Sequence, residues 1–74
     1  MDTTKILIIG ACGQIGSELT LKLRELYGID NVIASDIRKG EQEVFQTGPF
    51  ELVDAMKFDE VAALVDKYKV DEVY

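Results

Sequence analysis

Residues Lys5–Leu19 read KILIIGACGQIGSEL, and this stretch decides the fold. Ile6-Leu7-Ile8-Ile9 is short, apolar on both faces and mostly β-branched, as expected of a strand buried in the middle of a parallel sheet. Gly10, Gly13 and Gly16 follow. From Gln14 to Tyr27 the apolar residues Ile15, Leu19, Leu23 and Leu26 recur at steps of four and three, which predicts a helix with that face inward. Gly28 is positioned to stop it. A strand that ends in glycines and turns directly into a helix offers an anion the bare N–H groups and positive dipole end of the helix. Gly10 permits the tight turn, Gly13 removes a side chain from the path of a phosphate, and Gly16 lets helix and strand pack closely. The N–H groups of Gln14 and Ile15 are the expected donors. The same glycines also fit a packed turn that binds nothing.

Asn31–Asp36, NVIASD, predicts a second strand, and Asp36 lies 20 residues beyond Gly16. A carboxylate at that place accepts hydrogen bonds from the ribose hydroxyls of an adenine dinucleotide and repels a 2′-phosphate. This favours NAD over NADP. Arg38 and Lys39, close behind, offer charge for a phosphate, and Asp36 also fits a simple turn former.

Residues 37–49 lack a sustained period and contain Gly40, Gly48 and Pro49, the marks of a loop. Phe50–Val53 reads as a third strand. Phe58, Val61, Ala62, Val65 and Tyr68 stand at helical spacing, with Asp59 and Glu60 suited to a first turn and Lys57 a poor cap. VDEVY, residues 70–74, begins a fourth strand. The order β-α-β-loop-β-α-β predicts an α/β fold: the first half of a doubly wound parallel sheet, strand order 3-2-1-4.

The 74 residues allow one domain at most, and a chain of this size buries only about 60% of its unfolded surface. No apolar run approaches the roughly 20 residues that span a bilayer, and the start lacks a basic leader, so cytoplasm is the expected location. The net charge is −6, with eight scattered Lys and Arg, which argues against nucleic acid as a partner. With one cysteine and no histidine, neither an internal disulfide nor a zinc set is available. Cys12 reads as a small residue packed in a turn.

The spacing Gly10-x-x-Gly13-x-x-Gly16 departs from the G-x-G-x-x-G of most dinucleotide-binding dehydrogenases. It resembles the extended short-chain dehydrogenase/reductase superfamily, which includes nucleotide-sugar epimerases and dehydratases. GACGQIGSEL (10–19), VIASDIRK (32–39) and GPFELVDAM (48–56) are similar to the short-chain-type L-threonine 3-dehydrogenases within it. Sugar-nucleotide epimerases usually carry an aromatic where Gln14 stands. The resemblance implies an NAD-binding Rossmann fold, present here as its N-terminal part. It matches Gly10, Gly13, Gln14, Ile15 and Gly16 to the pyrophosphate loop and Asp36 to the ribose-binding acid. Ile37 and Arg38 then lie beside the adenosine, while Asp54 and Ala55 border the adenine, where Asp54 accepts from its exocyclic amine. Asp54 also fits a helix-start or turn residue.

The superfamily's chemistry uses a Tyr-x-x-x-Lys pair with a Ser or Thr. Here Tyr27 is followed four residues later by Asn31 and Tyr68 by Glu72, and Tyr74 is the last residue. No catalytic residue is therefore assigned, and no turnover is expected from these 74 residues alone. The implied parent enzyme, a homodimer with NAD as cofactor, oxidises L-threonine to 2-amino-3-oxobutanoate. The alternatives are a nucleotide-sugar epimerase or dehydratase and a non-catalytic dinucleotide-sensing module. Strand edges and apolar patches left uncovered would invite self-association.

Overall fold

A computed structural model describes residues 4–37 and 48–74. Strand β1 (Ile6–Ile9) is followed by helix α1 (Gln14–Tyr27), a 3₁₀ turn (Ile29–Asn31) and strand β2 (Val32–Asp36). Strand β3 (Phe50–Leu52), helix α2 (Phe58–Tyr68) and strand β4 (Glu72–Val73) complete the order. The four strands form one parallel sheet in the order β3-β2-β1-β4. Ile6 faces Val32 on one side of β1 and Glu72 on the other, and Ala34 of β2 faces Phe50 of β3.

The chain thus steps from β1 outward through β2 to β3, then crosses back over β1 to β4. Right-handed crossovers in opposite directions place α1 and α2 on opposite faces of the sheet. Strand alternation divides the core accordingly. Ile6, Ile8, Val32 and Ala34 pack with Leu23 under α1; Leu7, Ile33 and Val53 pack with Leu64 under α2. Because both faces of β1 are covered, Ile6, Leu7 and Ile8 are buried, which accounts for the unbroken apolar run.

Helix α1 has the predicted ends, but it sits rotated from the predicted face. Ile15 is 82% exposed and Leu26 65%, whereas Thr20, Leu23 and Arg24 are buried. Gly16 must face the sheet, and that requirement sets the rotation. Two polar residues fill the positions below it by satisfying their own groups locally. Thr20 Oγ1 donates to the carbonyl of Gly16 at 2.7 Å. Arg24, only 4% exposed, donates to the carbonyls of Val32 (3.2 Å) and Pro49 (2.7 Å) at the amino-terminal ends of β2 and β3. Helix α2 shows a similar shift. Phe58 is 91% exposed and Ala62 is also exposed, while Leu64 is buried with Val61, Val65 and Tyr68 packed around it.

Asn31 belongs to the 3₁₀ turn, not to β2. Its amide bridges two elements: Nδ2 donates to the carbonyl of Tyr27 and Oδ1 accepts from Lys5 Nζ, both at 2.7 Å. Strand β3 ends at Leu52, one residue before the predicted limit. Most of the predicted loop, residues 38–47 with Arg38 and Lys39, lies outside the described residues. No helix among the described residues is long and apolar enough to cross a membrane.

Candidate functional site

The glycine turn is built as its sequence suggests. Gly10 has φ +80°, a conformation that other residues adopt only with strain. Its carbonyl accepts from Gly13 N at 3.2 Å, closing the turn. The turn is pinned to β2 as well, since Ala11 N donates to the carbonyl of Ser35 at 2.9 Å. A β-carbon on Gly16 would stand 2.2 Å from the Gly10 oxygen, so helix and turn meet there with no room for a side chain. Gly13 differs. A β-carbon there would meet nothing nearer than 3.6 Å, so no protein contact requires a glycine at that position.

Gly13 is the N-cap of α1, with no side-chain cap and no acidic residue in the first turn. The N–H groups of Gln14, Ile15 and Gly16 lack helix carbonyls four residues back. The positive end of this helix is therefore not neutralised by its own sequence, and an anion fits it.

Asp36 closes β2 beside this turn. Its Oδ2 accepts from Cys12 N at 2.9 Å and its Oδ1 from Ile37 N at 2.7 Å. Beyond β3, Asp54 organises the entry to α2. Its Oδ1 accepts from Met56 N and its carbonyl from Lys57 N, both at 2.9 Å, while Asp54 N donates to Glu60 Oε1 at 3.2 Å. Glu60 thus reaches back from the first turn of α2 and ties it to the Asp54 amide, while the helix start at Lys57 has no side-chain cap.

The carboxyl ends of β1, β2 and β3 enclose a crevice of about 230 Å³. Five of the predicted residues line it: Gly10, Asp36, Ile37, Asp54 and Ala55. Ile9 and Val53 contribute apolar wall, and so does Met56, which the sequence reading did not single out. Gly13, Gln14, Ile15 and Gly16 do not line the crevice; they form the adjoining helix start. Arg38 lies outside the described residues. A larger hollow of about 310 Å³ flanks α1 between Leu21, Arg24, Glu25 and Ile29. It contains none of the predicted site residues, and Arg24 ties it to the amino-terminal ends of the strands, away from the helix start. Ligands of open α/β sheets bind outside the carboxyl ends. The smaller crevice is the candidate site.

Its parts suit an adenine dinucleotide: helix amides for a diphosphate, the Asp36 carboxylate for ribose hydroxyls, and a hollow with apolar walls and Asp54 at its edge for the base. The chain is similar to several known proteins. The solved L-threonine dehydrogenase from Clostridium difficile is 49% identical with a TM-score of 0.92, over 95% of this chain and 22% of that one. The GalE-like L-threonine dehydrogenase from Cupriavidus necator, in its holo form, is 44% identical with a TM-score of 0.85, over 95% of this chain and 22% of that one. An uncharacterized epimerase/dehydratase of Staphylococcus haemolyticus (strain JCSC1435) is 48% identical over 68 residues, 90% of this chain and 21% of the relative. This chain therefore spans about a fifth of the length of the relatives it matches. The model of the NAD dependent epimerase/dehydratase family matches residues 6–74, which takes in all four strands and both helices. With the parallel sheet, the glycine turn and Asp36 arranged as described, the chain belongs to that family.

Proposed function

We propose that residues 1–74 are the N-terminal portion of the dinucleotide-binding domain of an NAD-dependent L-threonine 3-dehydrogenase. The observation that carries this reading is the meeting of Gly10, Asp36, Ile37, Asp54 and Ala55 around one crevice beside the uncapped start of α1. The amides of Gln14 and Ile15 hold the diphosphate, with Gly13 leaving it room. Asp36 accepts the ribose hydroxyls and, by its charge, disfavours a 2′-phosphate. Asp54 and Ile37 receive the adenine, with Ala55 beside them. NAD so bound supplies the hydride acceptor for oxidation of an alcohol, and these residues orient it and keep its adenosine half out of water.

The two threonine dehydrogenases support L-threonine as the substrate; in this proposal its oxidation by NAD gives 2-amino-3-oxobutanoate and NADH. Proton transfer and substrate binding are assigned to no residue here, because none of the three tyrosines is followed four positions later by a lysine. A homodimeric parent in the cytoplasm is part of the same proposal.

A nucleotide-sugar epimerase or dehydratase is the second reading, and the family description together with the staphylococcal relative supports it. Purified longer protein carrying these residues distinguishes them. The proposal expects NADH to accumulate with L-threonine and NAD, and no conversion of nucleotide sugars. Epimerised or dehydrated nucleotide sugar without NADH from threonine would reverse the assignment.

A further inference from the structure

Met56 is 91% exposed, yet it is one of the residues that line the crevice, together with Ile37, itself 66% exposed. An exposed methionine on a mobile tether would mean little. This one stands in a turn closed twice, by the Asp54 carbonyl accepting from Lys57 N and by Asp54 Oδ1 accepting from Met56 N. The backbone at Met56 is therefore fixed, while its unbranched side chain keeps three rotatable bonds. Apolar residues from the ends of β1 (Ile9), β2 (Ile37) and β3 (Val53 and Met56) line the hollow, together with Asp36 and Asp54. Such a combination suits a flat ring with apolar faces and hydrogen-bond donors on its rim.

We propose that Met56 closes over one face of the adenine ring, opposite Ile37, and is a specificity-determining residue of the cofactor site. The inference rests on the reading of the crevice as a dinucleotide site. Binding the ring removes two exposed apolar side chains from water and brings the thioether against an aromatic face, a favourable contact. The Asp54 turn positions Met56 with one Oδ1 hydrogen bond and leaves the Asp54 carboxylate able to accept from the exocyclic amine.

In the longer protein carrying these residues, labelled with carbon-13 at the methionine methyls, the methyl signal lost in Met56→Leu assigns Met56. The probes are NAD, ADP-ribose, which keeps the adenine, and nicotinamide mononucleotide, which lacks it. The expected result is a ring-current shift of the Met56 methyl with NAD and ADP-ribose but not with the mononucleotide. Met56→Ala should weaken NAD and ADP-ribose about three- to tenfold without changing the melting temperature of the ligand-free chain. If NAD moves the Gly13 and Gln14 amides while the Met56 methyl stays still, or if Met56→Ala binds as tightly, the role of Met56 is wrong and the cofactor site stands. If NAD moves neither amides nor methyl, both readings fall.

Discussion

Asp36 Oδ2 accepts a hydrogen bond from the backbone amide of Cys12 at 2.9 Å, across 24 positions of sequence. The carboxylate read as the ribose acceptor therefore also holds the glycine turn in place. Under the proposed reading, the shape of the diphosphate loop and recognition of the ribose depend on one side chain. Asp36→Ala should lower stability by about 1.5–3 kcal/mol, the range for a hydrogen bond to a charged group, and should weaken NAD at least tenfold. Asp36→Asn keeps an acceptor for Cys12 and loses the charge. It should retain only part of the stability, because one amide oxygen cannot accept from both Cys12 N and Ile37 N, and should shift preference toward NADP. Denaturant melts and calorimetric titrations with both cofactors check the pair.

The glycines at 13 and 16 separate binding from packing. Gly16→Ala forces a β-carbon to within 2.2 Å of the Gly10 carbonyl oxygen, so a loss of about 1–3 kcal/mol is expected from overpacking. Gly13 has φ −71° and ψ 163°, which alanine adopts readily, and nothing within 3.6 Å opposes the added carbon. Gly13→Ala should leave stability unchanged or raise it by about 0.4–1 kcal/mol, while weakening NAD. Thermal denaturation and titration of the two variants give opposite patterns if this account holds.

The strand order and the limits of α1 were legible because each rests on apolar runs and glycines; of the residues at the strand ends, Asp36 is legible from its spacing to Gly16, and Ile37, Asp54 and Ala55 come from the family resemblance. The buried faces of the helices were less so. Thr20 and Arg24 occupy inward positions of α1 while Ile15 and Leu26 look outward, so a search for apolar stripes picks a face about one position off. The inward positions are polar because their partners are carbonyls of Gly16, Val32 and Pro49, which pattern cannot reveal. Met56 was missed for a related reason. Its place follows from the turn that Asp54 and Glu60 build, and a single exposed methionine carries no periodic signal.

Arg24 is the clearest test of that buried polar chemistry. Burial lowers its pKa from the ordinary guanidinium value, and the carbonyls of Val32 and Pro49 offset the loss of water. A β-carbon at Gly48 would stand 2.7 Å from the guanidinium carbon, so that glycine is pressed against it. Arg24→Leu should destabilise by about 1.5–3 kcal/mol, since the donor is removed from two carbonyls at the sheet. Arg24→Lys should recover little, because one ammonium cannot reproduce a planar fork. Urea denaturation measures both.

Glu51 accepts from Tyr68 Oη and, at 2.9 Å, from Lys67 Nζ through the same carboxylate oxygen. The Tyr68 bond, with Lys67 adding to it, holds the Glu51 carboxyl below its usual range; the same bond raises the Tyr68 hydroxyl. The Glu51 contribution to stability is complete above the unfolded carboxylate value of about 4.3 and is lost as pH falls through its lower folded value. The Tyr68 contribution is complete below the unfolded value of about 10 and is lost as pH rises through its higher folded value. Glu51→Gln should flatten both limbs in a pH series of denaturation midpoints, relative to the unaltered chain.

Lys69 ends α2 with φ +55°, the one non-glycine residue with positive φ among the described residues. Val70 N donates to the carbonyl of Val65 at 2.9 Å, as in a helix end that ordinarily takes glycine. The Lys69–Asp66 ion pair is exposed at both ends and contributes little. Lys69→Gly is expected to raise stability by about 0.5–1 kcal/mol, read from the shift in thermal midpoint.

The central claim is that the helix start at Gly13 and the crevice beside Asp36 together grip an adenine dinucleotide. Calorimetric titration of the 74-residue chain with NAD and with NADP tests it most directly. The account predicts saturable binding of NAD, weaker binding of NADP, and weakened NAD binding in Gly13→Ala. No binding of either, or tighter binding of NADP, would contradict it.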